Sequence, residues 1–226
     1  MNKEKKILRL NLVNVERSLT SVERDWEKID NELARKKIGR KDTPFNADIK
    51  AKMMASYEHL DELLRKGTEP FSKQSIGEIC ELNNLVHYGM DSQLRQEFQT
   101  AIAANSEKFY SNIGPIVNWY AKHMKQESHP LKVAAEVYVA ILGHPQLFIE
   151  GNHRAGSVIC SWISMYYGHP PFVLSPENAI AYFAPSAEIK TFADKSTWRG
   201  RAKLPKYSSA FKVFWEKHID LDYVIS

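Results

Sequence analysis

The sequence predicts an all-α protein. Apolar residues recur every three or four positions along most of the chain, which is the spacing that gives a helix one apolar face. Strands with one buried face require a period of two, and no stretch of useful length alternates in that way. The 226 residues, of which 43% are hydrophobic, suffice for one buried core with a helical extension.

Three helices are expected in the first part of the chain. A long amphipathic helix runs from Leu8 to Ile29, and the basic, proline-containing stretch Arg35–Pro44 then interrupts the pattern. A second helix runs from about Asn46 to Arg65, where Gly67 ends it. A third covers Phe71–Tyr88. We expect the first ninety residues to form an N-terminal helical extension.

The second part, residues 91–226, is expected to form the core domain. Its first segment, Asp91–Asn112, is polar and has no clear periodicity. Later helices are marked by prolines that suit a first helical turn and by a serine that suits an N-cap. We expect five helices, which begin near Pro115, His129, Arg154, Ser175 and Lys206.

Cysteine content and apolar runs favour an intracellular protein. Cys80 and Cys160 lie in apolar helical patterns far apart in sequence, which predicts two reduced core thiols. No window approaches the run of about twenty apolar residues that a transmembrane helix needs. The basic N-terminus is interrupted by Arg9, Asn11 and Asn14, unlike a signal peptide. We therefore expect a cytoplasmic protein without a membrane partner.

The charge distribution permits a phosphate-bearing ligand. The formal net charge is +4, but the positive residues are interspersed with acids. The two basic runs are Arg35–Lys41 and Arg199–Lys203. Few aromatic residues are interleaved with them, so we expect solvated surfaces there and not nucleic-acid sites. Nucleic acid is therefore not favoured as a partner. Whether the protein forms a homodimer is left open.

The candidate site is the segment Gly143–Arg154, which joins two of the expected helices. Gly151 allows close approach of the backbone to a ligand, and the amides after it lie at a helix N-terminus, which attracts anions. Arg154 adds a guanidinium suited to phosphate, and Glu150 adds a hard oxygen ligand for Mg²⁺. These residues predict a phosphate site, although the same residue types also serve as ordinary turn and cap residues.

The run Phe148-x-Glu150-Gly151-Asn152-x-Arg154 resembles the core of the Fic/DOC motif, H-P-F-x-(D/E)-G-N-G-R-x-x-R. The surroundings are similar as well. The matching features are Trp119-Tyr120, His129-Pro130 and Ala134-Ala135 before the loop, and Tyr167-Gly168-His169-Pro170-Pro171 after the next helix. The resemblance covers roughly Ile113 to Pro185.

Membership of that family would imply a Fic-type helical bundle that binds ATP, or another NTP, with Mg²⁺. It would also imply transfer of AMP, or of another phosphate-linked group, to a hydroxyl of a target protein, which the sequence does not identify. By position, Phe148 would anchor the loop and Glu150 would bind the metal. The phosphates would be bound by Gly151, Asn152, His153 and Arg154.

Three positions depart from the family motif. Gln146 stands at the place of the catalytic histidine, His153 replaces the second glycine, and Ser157 replaces the final arginine. A neutral amide cannot accept the proton of the target hydroxyl, and a general base is typically worth about 10²–10⁴ in rate. His144 is our candidate for this base, and it would reach the site only if the loop bulges. His153 is the second candidate.

Three classes of function are therefore considered. The first is a transferase that acts on a protein hydroxyl, and the second is a module that binds a nucleotide but lacks the base. The third, a protein whose loop contacts nucleic-acid phosphates, is disfavoured by the intact Glu150 and Arg154. A zinc site from His144, Glu150 and His153 is also disfavoured, because paired zinc-binding histidines on a helix usually lie four residues apart.

Overall fold

The computed structural model describes residues 7–38, 44–126 and 128–225. Within these ranges regular structure is helical, joined by turns and three isolated bridges, which confirms the all-α class. The basic start Met1–Lys6 and the middle of the expected break, Gly39–Thr43, lie outside the described residues. The helices are α1 (Leu12–Arg24), α2 (Trp26–Arg35), α3 (Ala47–Arg65), α4 (Ile76–Tyr88), α5 (Ser92–Glu97), α6 (Gln99–Lys125), α7 (Pro130–Leu142), α8 (Asn152–Tyr166), α9 (Ala179–Phe192) and α10 (Trp198–His218).

Helix α8 lies at the centre of the bundle. Its side chains are buried on almost every side, which is the pattern of a helix enclosed by others. It packs against α7, α4 and α3, while α10 covers the other side of α7. Helix α1 packs on α3, and α2 packs on α9. Both the first turn of α8 and the loop before it are therefore surrounded by helices from distant parts of the sequence.

The prediction of one continuous N-terminal helix from Leu8 to Ile29 was wrong. Residues before Leu12 are not helical, although Leu8 and Leu10 are buried. The side chain of Asn11 starts α1 by accepting a hydrogen bond from the Asn14 amide at 3.2 Å. Helix α1 then ends at Arg24 and α2 begins at Trp26, with Asp25 between them. The apolar spacing was correct, but the cap determines where the helix starts.

Several other boundaries also differ from the predictions. The third helix begins at Ile76 rather than Phe71, whose φ of 60° lies in the left-handed region. The unassigned segment Asp91–Asn112 forms α5 and most of α6. Pro115 does not start a helix but lies inside α6, whose buried face continues from Phe109 through Ile116. Burial of that face maintains the helix despite the missing proline amide hydrogen.

Two predicted helix starts in the C-terminal part were also misplaced. Ser175 was expected to cap a helix, but α9 begins at Ala179, after Asn178. The Asn178 side chain instead closes the preceding turn, because its Oδ1 accepts a hydrogen bond from the Ser175 amide at 2.9 Å. The last helix begins at Trp198 rather than Lys206, capped by the hydroxyl of Thr197, which accepts from the Gly200 amide at 3.1 Å.

One continuous hydrophobic core joins buried residues from both parts of the chain. It includes Cys80 and Cys160, which are buried free thiols as predicted. The division near residue 90 stays a prediction. In the described part of the chain, no helix is both long and apolar enough to cross a bilayer.

A partly buried ion pair attaches the N-terminal segment to α3. The Arg9 guanidinium donates to both carboxylate oxygens of Asp61, and the Leu10 amide donates to the same carboxylate at 2.9 Å. Burial alone would raise the pKa of Asp61, but the hydrogen bonds from Arg9 and Leu10 outweigh it, so this pKa lies below its ordinary value. This contact fixes the segment that leads into α1.

We predict that Asp61→Asn lowers the free energy of unfolding by roughly 1–3 kcal/mol at pH 7, because charged hydrogen bonds to a buried group are lost. The native state depresses the Asp61 pKa, so the carboxylate stabilises the fold fully above its unfolded value near 3.8. This contribution is lost as the pH falls through the lower folded value. Urea unfolding at several pH values should therefore show the difference between variant and wild type shrinking in acid.

Asp25→Asn is the matched control for that experiment. Asp25 pairs with Arg24 on an exposed surface, where ion pairs contribute little. An equal loss of stability in both variants at pH 7 would contradict the anchoring role of Asp61.

Candidate functional site

The loop between α7 and α8, residues 143–151, is held by polar side chains from α4 and α6. Lys108 donates to the Phe148 carbonyl at 3.0 Å, and the Ile149 amide donates to Oδ1 of Asn105 at 2.9 Å. Asn105 in turn donates to Asn83 at 2.8 Å, and Asn83 donates to the Glu150 carbonyl at 3.0 Å. Three consecutive loop residues are thereby fixed from one side.

Asn152 fixes the same loop from the α8 side. Its Oδ1 accepts from the Phe148 amide at 2.9 Å, and its Nδ2 donates to the Phe148 carbonyl at 3.0 Å. The side chain also lies 3.4 Å from Oε1 of Gln146. Asn152 is buried, so its amide group organises the loop from within.

Gly151 makes the turn from loop to helix possible. Its φ of 73° lies in the left-handed region, where a residue with a side chain is strained. A Cβ added there would collide with the His87 ring and lie 2.8 Å from Nδ2 of Asn83. Both the backbone conformation and the close approach of α4 therefore require glycine at this position.

Phe148 anchors the loop in the core, as predicted for its ring. It is fully buried, and its ring stacks on Phe109 of α6 with centroids 5.3 Å apart and an interplanar angle of 3°. The neighbouring side chain of Ile149 is 49% exposed, so the loop changes from core to surface within one residue.

A cavity of about 390 Å³ lies above the loop and the first turn of α8. We group its lining residues by chemistry into a polar wall and an apolar wall. The polar wall contains Gln146, the run Glu150–Arg154, Ser157, His87 and Lys190. The apolar wall contains Leu19, Trp26, Phe45, Ile49, Met53 and Phe183. The volume falls within the range of about 300–1,000 Å³ that is usual for small-molecule sites.

Arg154 connects the cavity to α4. Its side chain is half-buried, and Nη1 donates to the Val86 carbonyl at 2.6 Å. Burial lowers its pKa from the ordinary value, while the carboxylates of Glu150 and Asp48 act in the opposite direction. An arginine keeps its charge under such conditions, so the cavity contains a fixed cation beside the helix N-terminus.

His153 lies in the same polar wall and is uncharged at neutral pH. Burial, aided by the nearby charges of Lys190 and Arg154, lowers its pKa to about 4. Its Nδ1 lies 3.4 Å from the Tyr138 hydroxyl, and its carbonyl accepts a hydrogen bond from the Tyr182 hydroxyl at 2.8 Å. The residue is thus a neutral polar group on the first turn of α8.

The structure does not bring His144 to this cavity. His144 is exposed, and it is absent from the residues that line the space. Its backbone pairs with the segment after α9, since its amide donates to Ala193 at 2.7 Å and its carbonyl accepts from Lys195 at 2.6 Å. Gln146 does line the cavity and also donates to the Leu142 carbonyl at 3.2 Å. The role of His144 as a base stays a prediction that requires residues 143–147 to rearrange.

Glu150 is an exposed carboxylate at the edge of the cavity. Among the described residues, no group of three or more histidine, cysteine or acidic side chains is arranged to hold a metal ion. A resident zinc site formed by His144, Glu150 and His153 therefore has no support here. A single carboxylate does suit Mg²⁺, which often binds one or two carboxylates together with substrate phosphates.

The sequence analysis did not identify Lys190 or the aromatic residues of the apolar wall. Lys190 comes from α9, and Trp26 and Phe45 come from the N-terminal part of the chain. Trp26 packs against Phe45 and Phe183 with centroid distances of 5.7 Å and 6.1 Å. No local motif marked these residues as part of a site, because only tertiary packing brings them to the cavity.

Comparisons with known proteins give distant structural likeness. No family model matches the sequence, and no curated protein matches it. The chain is similar to the crystal structure of a Fic domain containing signaling protein from Bacteroides thetaiotaomicron VPI-5482, with 13% sequence identity and a TM-score of 0.48. The match covers 92% of this chain and 89% of that one. Likeness at this level assigns no ligand, activity or residue role.

We predict that Phe148→Ala destabilises the whole fold by about 3–5 kcal/mol, because it removes a fully buried ring from the core. Urea unfolding followed by circular dichroism would measure this loss. Ile149→Ala is the neighbouring control. Because the Ile149 side chain is exposed, this change should lower the free energy of unfolding by less than about 1 kcal/mol. Equal costs for the two variants would contradict the anchoring role of Phe148.

Proposed function

We propose that this chain is a Fic-like nucleotide-binding protein that transfers AMP, or another phosphate-linked group, from a nucleotide to a protein hydroxyl. One observation carries the proposal. Gln146, Glu150, the start of α8 and Arg154 line a single cavity that also has an aromatic wall. A nucleotide needs both features, because its phosphates are anionic and its base is flat and weakly polar.

The phosphate end is supported by the polar wall. The first amides of α8 have no partner within the helix and, with the helix dipole, favour an anion. Arg154 and Lys190 supply two cations in the same wall. The neutral state of His153 suits this position, because its amide belongs to the anion-binding turn and its ring adds no charge.

Binding of the nucleobase is supported by the aromatic residues of the apolar wall. Trp26 packs against both Phe45 and Phe183, and all three side chains border the cavity. Aromatic side chains stack with nucleobases, a contact worth roughly 1–3 kcal/mol per base in other proteins. Because Trp26 and Phe45 precede α3, we infer that the N-terminal helices contribute directly to ligand binding.

Mg²⁺ fits this arrangement as a partner of the nucleotide. Glu150 would hold it against the phosphates, and Mg²⁺ would supply charge neutralisation for the transferred group when bound. The residues of the chain position the phosphates through backbone amides and the Arg154 guanidinium. Gln146 is placed to hydrogen-bond an incoming hydroxyl and orient it.

We predict that an ATP analogue resistant to cleavage between its α- and β-phosphates, added with Mg²⁺, raises the melting temperature. A ligand at about one hundred times its Kd stabilises the native state by about 2.7 kcal/mol. Arg154→Ala should abolish most of this ligand-induced shift. Arg154 also donates to the Val86 carbonyl, so its replacement changes the stability of the ligand-free protein. The shift is therefore measured from the melting temperature of each variant without ligand.

Arg17→Ala serves as the control, since Arg17 is exposed on α1 and does not line the cavity. Glu150→Gln should weaken only the Mg²⁺-dependent part of the shift. If Arg154→Ala retains the full ligand-induced shift, the phosphate site lies elsewhere.

A second candidate function is nucleotide binding without transfer. It is favoured by the position of His144 outside the cavity and by the amide of Gln146 inside it. A site of this kind retains the anion-binding first turn of α8 and the carboxylate of Glu150, but it has no strong base near the bound phosphates. The chain would then act as a nucleotide-dependent sensor or scaffold.

Labelling with ATP that carries a radioactive α-phosphate distinguishes the two functions. For a transferase we expect autolabelling, or labelling of a lysate protein, that falls by about 10²-fold or more in His144→Ala. If labelling is lost in His153→Ala but retained in His144→Ala, the general base is His153. A silent wild type together with labelling by Gln146→His would establish the second function.

A further inference from the structure

Two large aromatic side chains are exposed at the junction of α9 and α10. Phe192 is 52% exposed and Trp198 is 70% exposed. Each ring has a cation over it, with the Arg199 guanidinium 5.8 Å from the Trp198 centroid and the Lys203 ammonium 5.4 Å from that of Phe192. Such pairs contribute little to stability at an exposed position, so stability does not explain the exposure of these rings.

The surface around the two rings is strongly basic. Residues 195–215 contain no aspartate or glutamate. Arg199, Lys203 and Lys206 follow one another at helical spacings of four and three, which places them on one stripe of α10. Within the described residues, no carboxylate forms an ion pair with this stripe. We call Phe192, Trp198, Arg199, Lys203 and Lys206 the basic–aromatic patch.

The basic–aromatic patch adjoins the loop that lines part of the cavity. On α9, Lys190 lies two residues before Phe192 and also lines the cavity. Directly after Phe192 the chain pairs with the loop between α7 and α8, where the His144 amide donates to the Ala193 carbonyl at 2.7 Å and the Lys195 amide donates to the His144 carbonyl at 2.6 Å. A polypeptide bound on the patch would therefore lie beside the candidate site.

We propose that the basic–aromatic patch docks an acidic segment of the protein partner, the acceptor of the transferred group. This inference rests on the proposed function. Tryptophan, arginine and other aromatic residues carry much of the binding energy in protein interfaces, and the stripe of cations complements clustered carboxylates. The position beside the cavity favours a protein acceptor, because its hydroxyl must reach the bound phosphates while the rest of the segment stays anchored.

Binding of a fluorescein-labelled copolymer of glutamate and tyrosine, measured by anisotropy, tests the docking surface. We expect Phe192→Ala/Trp198→Ala and Arg199→Glu/Lys203→Glu each to weaken binding about tenfold or more. The changed side chains are exposed, and circular dichroism checks that each variant stays folded. Lys122→Glu/Lys125→Glu is the matched control, since it reverses two exposed lysines near the end of α6.

Three results would overturn the proposal. The first is equal weakening by the control, which would indicate attraction to net charge alone. The second is unchanged binding in the aromatic variant. The third is tighter, patch-dependent binding of polyuridylate RNA than of the copolymer, which would make the patch a nucleic-acid surface.

The same measurements separate this inference from the proposed function. Copolymer binding is measured without nucleotide and should be unchanged in Arg154→Ala. If the copolymer binds through the patch but no nucleotide stabilises the protein, the docking surface is supported and the proposed transfer function is contradicted. Nucleotide stabilisation without patch-dependent binding would overturn the docking surface alone.

Discussion

The shape of the candidate site depends on the burial of Phe148. Once this ring stacks on Phe109 in the core, the backbone on both sides of it is also taken out of water, and its polar groups require partners. Asn83, Asn105, Lys108 and Asn152 supply them. Residues 148–150 are therefore held from α4, α6 and α8 together, directly before the first turn of α8.

This dependence connects the fold to the function. Gly151 can make its left-handed turn this close to α4 only because it has no side chain, since an added Cβ would collide with the His87 ring and with Asn83. The apolar wall comes from α1, α2, α3, α9 and Phe45, and these elements are joined by the packing of α1 on α3 and of α2 on α9. The ion pair between Arg9 and Asp61 fixes the beginning of that wall. Nucleotide binding would thus require the N-terminal helices as much as the loop.

Most helices followed from the periodicity of apolar residues, and α3 was predicted almost to the residue. The exceptions are α5 and the first part of α6, which lie in the polar segment Asp91–Asn112. Boundaries were wrong where a cap or turn competes with that periodicity, as at Asn11 and Asn178. The consecutive residues of the loop were recognised because their chemistry is concentrated in one short run. Lys190 and Trp26 were not, because only tertiary packing brings them to the cavity. His144 was proposed as a base from its distance along the chain, which does not report where its ring lies.

The protonation states in the site set a limit on its chemistry. With a pKa of about 4, His153 is neutral at pH 7 and is a weak base, because burial and two neighbouring cations oppose its charged form. Gln146 cannot take a proton at all. The same cations that disfavour a protonated histidine favour bound phosphate, and bound phosphate would in turn raise the histidine pKa. Nucleotide binding would therefore bring His153 closer to the range of an effective general base, so the ligand itself would help to determine whether this site transfers or only binds.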